Sequence, residues 1–279
     1  MKASTSIQSA KAIVKSPGQL SFETMIVVVG ERRSGTTVFR SLLQENGAHS
    51  LGEIFHKDEI HLETNYFNFL LKSIATKPAS IHPSRQGTVF EEYVDYLSER
   101  HCEKAIVIDI KFPALSLIKN RTHGTPEIIR ILRKKNAKFL LITRTNKLRC
   151  YISEQVALRN KKWHGDFSER SPVKLDVTDA LNYVEQSESR AQFLKSWLEG
   201  SYYLEISYEA MFSDSFFSDS AVSVASNLLN RPVEASKPIY QKQNPEPIRD
   251  LITNFPDLQR IFSTTKHAWM LDDSDHNSI

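Results

Sequence analysis

The chain has 279 residues, 40% of them hydrophobic and 25% charged, the balance of an ordinary globular protein. A formal net charge of +3 excludes a general nucleic-acid binder and leaves room for a local basic site only. Two cysteines, Cys102 and Cys150, are too few for a disulfide framework, and no run approaches the ~18–20 apolar residues of a membrane span. The first 16 residues carry lysines around no apolar centre, which is not a secretory signal, so the expected location is the cytoplasm.

Residues 1–22 read as a polar lead-in, 23–271 as one α/β domain and 272–279 as a polar tail. An apolar β-branched run at 25–29 predicts a strand buried on both faces. A helix is expected over 35–46, with Gly47 at its C-terminal cap, and a short extended piece over 49–55. Apolar spacing predicts a helix over 59–76, a loop over 77–87 and a helix over 89–100. A second buried strand spans 105–111 and stops at Pro113. A helix over 126–135 precedes a third strand over 137–143 and a helix over 146–160. A long helix over 177–198 leads to a fourth strand over 202–206, then short helices near 208–212 and 217–229. Prolines 232, 238, 245, 247 and 256 predict an irregular wrap over the sheet edge. Strands alternating with helices, most of them continuous apolar runs, predict a parallel sheet covered on both faces. Ligands bind such sheets at the carboxyl ends of the strands, where Gly30, Lys111, Arg144 and Ser207 fall.

Gly30 and Gly35 bracket four residues between the first strand and the first helix. This is the strand–loop–helix pattern of a phosphate-binding loop, whose backbone N–H groups and helix N-terminus favour an anion. The position of the usual lysine holds Thr36, and Arg32 and Arg33 lie inside the loop instead. Arg33 can offer a charge-assisted fork to a phosphate or sulfate oxygen. A second basic element follows the third strand: Arg144 at its end, Asn146 suited to cap the next helix, and Ser153 about two turns in. Arg144 and Ser153 are candidates for a second anion site beside the first; Arg144 taken alone reads equally as a surface salt-bridge partner.

The run Arg32-Arg33-Ser34-Gly35-Thr36-Thr37 resembles the 5′-phosphosulfate loop of sulfotransferases that use 3′-phosphoadenosine 5′-phosphosulfate (PAPS). Arg144 and Ser153 resemble that family's 3′-phosphate motif, with a spacing one residue longer than its commonest form. The long form, with Tyr151 and Ile152 before Ser153, is most similar to the bacterial nodulation-factor and trehalose sulfotransferases. The segments 206–211 and 241–255 carry weaker echoes of the same branch.

The resemblance implies a P-loop-containing three-layer α/β fold with a central parallel sheet flanked by helices. It implies PAPS as donor, no metal, and transfer of a sulfuryl group to a hydroxyl of a carbohydrate or glycolipid-like acceptor. A homodimer is compatible with it; nucleic acid is not an expected partner. By the same resemblance the donor is held by Arg32, Arg33, Ser34, Gly35, Thr36, Thr37, Arg144, Ser153 and Tyr208. Glu53 is the expected general base, with His56 the competing one; Arg33 stabilises the leaving phosphate, and Lys111 lies near the transferring group. Residues alone leave Tyr208 as either an adenine contact or core, and Lys111 as either a site residue or a strand-end lysine. Trp163 and His164 are candidates for the acceptor rim, while Tyr66, Phe67, Phe69 and Leu70 read as core. Two rivals remain: a P-loop kinase or NTPase, for which Asp109 would be the metal-binding aspartate, and an inactive nucleotide-binding protein of the same fold.

Overall fold

The computed structural model describes residues 24–118, 124–160, 171–240 and 246–272. The lead-in, the segment holding Trp163 and His164, and the polar tail from 273 onward lie outside them.

A five-stranded parallel sheet forms the centre. Its strands are β1 (Met25–Gly30), β2 (His49–Glu53), β3 (Ile106–Lys111), β4 (Lys138–Thr143) and β5 (Tyr203–Ser207), in the spatial order β2-β3-β1-β4-β5. Every residue of β1 is buried, as expected of a central strand covered on both faces. Its side chains alternate: Val27 and Val29 enter one apolar cluster, Ile26 and Val28 the other.

The helices around the sheet are α1 (Thr36–Glu45), α2 (Tyr66–Thr76), α3 (Gln86–Arg100), α4 (Glu127–Lys134), α5 (Lys147–Asn160), α6 (Val177–Leu198) and α7 (Asp219–Leu229). Their distribution follows from right-handed crossovers. The β1-to-β2 connection runs one way across the sheet and places Phe39, Leu42 and Leu43 of α1 with Ile26 and Val28. The later connections run the other way and place Phe90 and Val94 of α3, Ile128 and Leu132 of α4, and Leu194 and Leu198 of α6 with Val27 and Val29. After β5 the chain returns to the first face, where Ala221, Ala225 and Leu228 of α7 pack beside α1.

Several expectations are corrected. The extended piece after α1 is a fifth, edge strand, paired with β3. The helix expected from residue 59 starts at Tyr66: Asn65 accepts from Phe67 N at 2.9 Å, and its own Nδ2 donates to the His56 carbonyl at 2.9 Å. Residues 77–87 hold two 3₁₀ turns, and α3 begins at Gln86. The helix expected over 208–212 is one 3₁₀ turn, Tyr208–Ala210, followed by the hairpin of β6 (Phe212–Ser213) and β7 (Phe216–Phe217). Asp214, at φ 53°, makes the tight reversal.

The described residues from 246 onward pack on helices instead of on the sheet edge. Two short helices, α8 (Ile248–Leu251) and α9 (Phe255–Phe262), put Ile248, Leu251, Leu258 and Phe262 against Leu148 and Ile152 of α5 and Val184 of α6, a third apolar cluster. Among the described residues no helix is long and apolar enough to cross a membrane, and no group of three or more His, Cys, Asp or Glu side chains is placed to hold a metal.

Candidate functional site

Five strands ending along one edge bring distant residues side by side. Glu53 ends β2, Lys111 ends β3, Gly30 ends β1, Arg144 follows β4, and Tyr208 follows β5. The turn from β1 to α1 lies in the middle of this row.

That turn is tightly constrained. A Cβ on Gly30 would meet the Ile142 carbonyl oxygen at 2.7 Å, so only glycine fits. Ser34 Oγ donates to the Glu31 carbonyl at 2.8 Å and closes the turn on itself. Arg33 adopts φ 63°, an uncommon conformation for a residue with a side chain. Gly35 follows at φ 94°, and a Cβ there would meet Tyr208 Cδ2 at 2.5 Å. Gly35 is the N-cap residue of α1, so no side chain caps that helix, and its first turn holds no acid. The N-termini of α2, α6 and α7, by contrast, are each capped by a side chain. The first amides of α1 therefore face the sheet edge with the positive end of the helix dipole behind them.

On one side of the turn lies a guanidinium pair. Arg33 Nε donates to Ser153 Oγ on α5 at 3.0 Å. Arg144 Nη1 donates to the Arg33 carbonyl at 3.3 Å, and its guanidinium lies 4.6 Å above the centre of the Tyr208 ring. Arg144 is only 7% exposed, its Nε is buried with no hydrogen-bond partner, and no carboxylate pairs with it among the described residues. Burial, and then the Arg144 charge beside it, push the Arg33 guanidinium below its ordinary value. Two cations thus share a half-dry space. Beneath them, burial pushes the Cys150 thiol up to about 11, and its Sγ lies 3.8 Å from the Arg33 carbonyl.

The helix that carries Ser153 is fixed at its start. Asn146 Oδ1 accepts from Arg149 N at 3.0 Å, the expected cap. Glu209 adds a second one: its carboxylate accepts from the amides of Thr145 at 2.9 Å and Asn146 at 3.2 Å. The buried Glu31 carboxylate ties the turn to the helices behind it, accepting from Ser187 and lying 3.4 Å from Arg190 Nη1.

On the other side of the turn is a mixed-charge cluster. Lys111 Nζ donates to Thr36 Oγ1 and to Asp109 Oδ2, the latter at 2.8 Å, and lies 3.3 Å from Glu53 Oε1. Arg40 Nε lies 3.5 Å from the same Asp109 oxygen.

The structure places Arg33, Arg144 and Ser153 on one side of the turn, and Thr36, Lys111 and Glu53 on the other. Other expected residues fall differently. Arg32 turns outward, 59% exposed, to a loose pairing with Glu154 at 3.5 Å. The Ser34 side chain is committed inside the turn. Tyr208 is buried against Gly35 and Phe212 and serves as the floor under Arg144, not as an open ring. Thr37 is half-buried in the first turn of α1. His56 lies past the end of β2, with Nδ1 buried and without a hydrogen-bond partner. Arg40 and the Glu209 cap were not anticipated; the short polar spacing of Ile-Ser-Tyr-Glu at 206–209 hinted at the second only.

Beside Phe112, the residue after Lys111, lies a cavity of about 410 Å³ lined by Phe112, Glu185, Gln186, Ser189, Arg190 and Phe193. The Phe112, Trp197 and Phe193 rings stack in series, each 5.7 Å from the next.

No protein-family model and no curated protein matches the chain. A solved structure, described as an uncharacterized protein from Eubacterium ventriosum ATCC 27560, is similar at a TM-score of 0.34 and 13% identity, covering 75% of this chain and 99% of that one.

Proposed function

We propose that this protein is a PAPS-dependent sulfotransferase whose acceptor is a hydroxyl of a carbohydrate or glycolipid-like molecule. The observation that carries this reading is Arg144: a buried guanidinium with which no carboxylate pairs among the described residues, next to a second guanidinium and an uncapped helix N-terminus. A buried charge without a counter-ion is costly. Here the counter-ion is a ligand carrying two separate anionic groups.

The site's donors fit that ligand. Arg144 and Ser153 hold its 3′-phosphate. The turn preceding α1, with the amides and hydroxyl of Thr36 and the guanidinium of Arg33, forms a phosphate-binding loop for the 5′-phosphosulfate. Tyr208 positions Arg144 from below. When bound, the donor supplies an activated sulfuryl group with a phosphate as its leaving group. Arg33 and the α1 amides stabilise negative charge on that phosphate, the largest single contribution such a site makes. Glu53 accepts the proton of the acceptor hydroxyl, and the Lys111 ammonium, 3.3 Å away, neutralises charge between them. The aromatic cavity beside Phe112 takes the non-reacting part of the acceptor.

The kinase reading is disfavoured by Asp109. Its carboxylate has no exposed side-chain surface and is engaged by Lys111 and Arg40, so it is closed to a metal-bound nucleotide. The decisive experiment is transfer from ³⁵S-labelled PAPS to a panel of carbohydrate, lipid and phenol acceptors. Label in a carbohydrate or glycolipid supports the proposal. Donor binding with transfer to no acceptor class would make this an inactive binder.

A further inference from the structure

We infer that Asp109, with Arg40 as its standing counter-ion, is the positioning residue that holds Lys111 aimed between Thr36 and Glu53. The inference deepens the functional reading above and rests on it only for what Lys111 then does.

A carboxylate in the middle of a sheet needs a reason. Asp109 lies in β3 between Ile108 and Ile110, and its side chain has no exposed surface. Its Oδ1 is buried with no hydrogen-bond partner. An apolar residue at that place would carry none of this desolvation cost. What the carboxylate does make is ionic: Lys111 at 2.8 Å and Arg40 at 3.5 Å, both on Oδ2. Lys111 is itself nearly buried, with 10% of its side chain exposed.

The charges facing Lys111 are Asp109 from its own strand and Glu53 from β2, with Arg40 of α1 reaching the shared Asp109 oxygen. Two cations and two carboxylates balance. The short Asp109 contact prevents the Lys111 ammonium from collapsing wholly onto Glu53. Arg40 keeps Asp109 paired when Lys111 turns to an arriving anion. Lys111 can then meet the reacting group without leaving a bare buried carboxylate behind. Glu53 is freed at the same moment to accept a proton.

The test reads how firmly Lys111 is held, in donor-free protein, by its rate of acetylation with trace acetic anhydride, normalised to the other lysines by peptide mapping. An amine tied into the cluster is shielded from the reagent. Asp109→Asn removes the 2.8 Å ionic contact and should raise the relative rate of Lys111 about tenfold or more. Arg40→Gln leaves Asp109 to Lys111 alone and should lower it. A merely structural role loosens the cluster and raises the rate in both variants. Opposite shifts support the inference; no shift, or a rise in both, overturns it. If Asp109→Asn does not fold, Arg40→Gln decides alone: a fall supports, and a rise or no change overturns. Failure of the nucleotide to bind would overturn the functional reading and leave this result standing.

Discussion

Arg33 and Ser153 are 120 residues apart in the chain, yet Arg33 Nε donates to Ser153 Oγ at 3.0 Å. With the Cys150 Sγ–Arg33 carbonyl and Arg32–Glu154 contacts, this bond joins the turn after β1 to the helix after β4, so the two candidate anion-binding elements lie side by side. It also fixes the Arg33 side chain while its backbone holds an uncommon left-handed conformation.

Arg144 links binding to stability with opposite signs. Its guanidinium is buried and has no carboxylate partner among the described residues, so Arg144→Met should leave the ligand-free melting temperature unchanged or raise it. The same variant should weaken adenosine 3′,5′-bisphosphate binding by roughly 10–100-fold, the loss of one charge-assisted contact of about 1.5–3 kcal/mol. Calorimetry and thermal melts on the same samples check both halves. A large drop in ligand-free stability would mean the arginine is structural.

Gly35 is required by its own geometry. With φ at 94° and Tyr208 Cδ2 2.5 Å from where a Cβ would stand, Gly35→Ala should cost about 1–3 kcal/mol and lower the melting temperature by several degrees. Displacing Tyr208 also shifts the support under Arg144, so ligand affinity should fall in the same variant.

The acid–base assignment separates Glu53 from His56. Glu53→Gln should leave donor binding within about twofold and cut turnover by ~10²–10⁴-fold, the range of a lost general base. His56→Gln should retain most of the turnover, because it is Glu53 that lies 3.3 Å from Lys111. Rate constants with saturating donor decide it; the reverse ranking would move the base to His56.

Cys150 sets an alkaline limit. Its thiol is held at about 11 by burial, above the ordinary value of 9.0 that it regains on unfolding. The unfolded chain therefore loses this proton first, and the associated stability, fully present below pH 9, is lost as pH rises through about 11. Cys150→Ala should flatten that part of the stability–pH curve, whereas Cys102→Ala, at an exposed position, should not. Thiol labelling at pH 8 should modify Cys102 and spare Cys150 until denaturant is added.

What was legible in the sequence depended on local signals. β1, β3 and β4 are continuous apolar runs, and α6 matches its expected bounds from residue 177 to 198 because Asp176 caps it and Glu199 follows a last apolar pair. β2 was read only as an extended piece: it contains Gly52 at φ 76° and takes its partner from a strand more than fifty residues later. The false start of α2 came from Ile60 and Leu62, whose helical spacing continues into the helix but whose side chains lie exposed before the Asn65 cap. The site was readable where residues cluster in one motif, as at 32–37. It was not readable where charge partners are brought together by the sheet alone, as with Arg40 and Asp109 or Glu209 and the start of α5.

In the proposed function, two anion sites flank one turn and take a nucleotide with phosphates at both the 3′ and 5′ positions. The direct measurement is a calorimetric titration comparing adenosine 3′,5′-bisphosphate with adenosine 5′-monophosphate and with Mg-ATP. The account predicts tightest binding for the bisphosphate, at least tenfold over the monophosphate, with that advantage abolished by Arg144→Met. Equal affinity for the mono- and bisphosphate, or tighter binding of Mg-ATP, would contradict it.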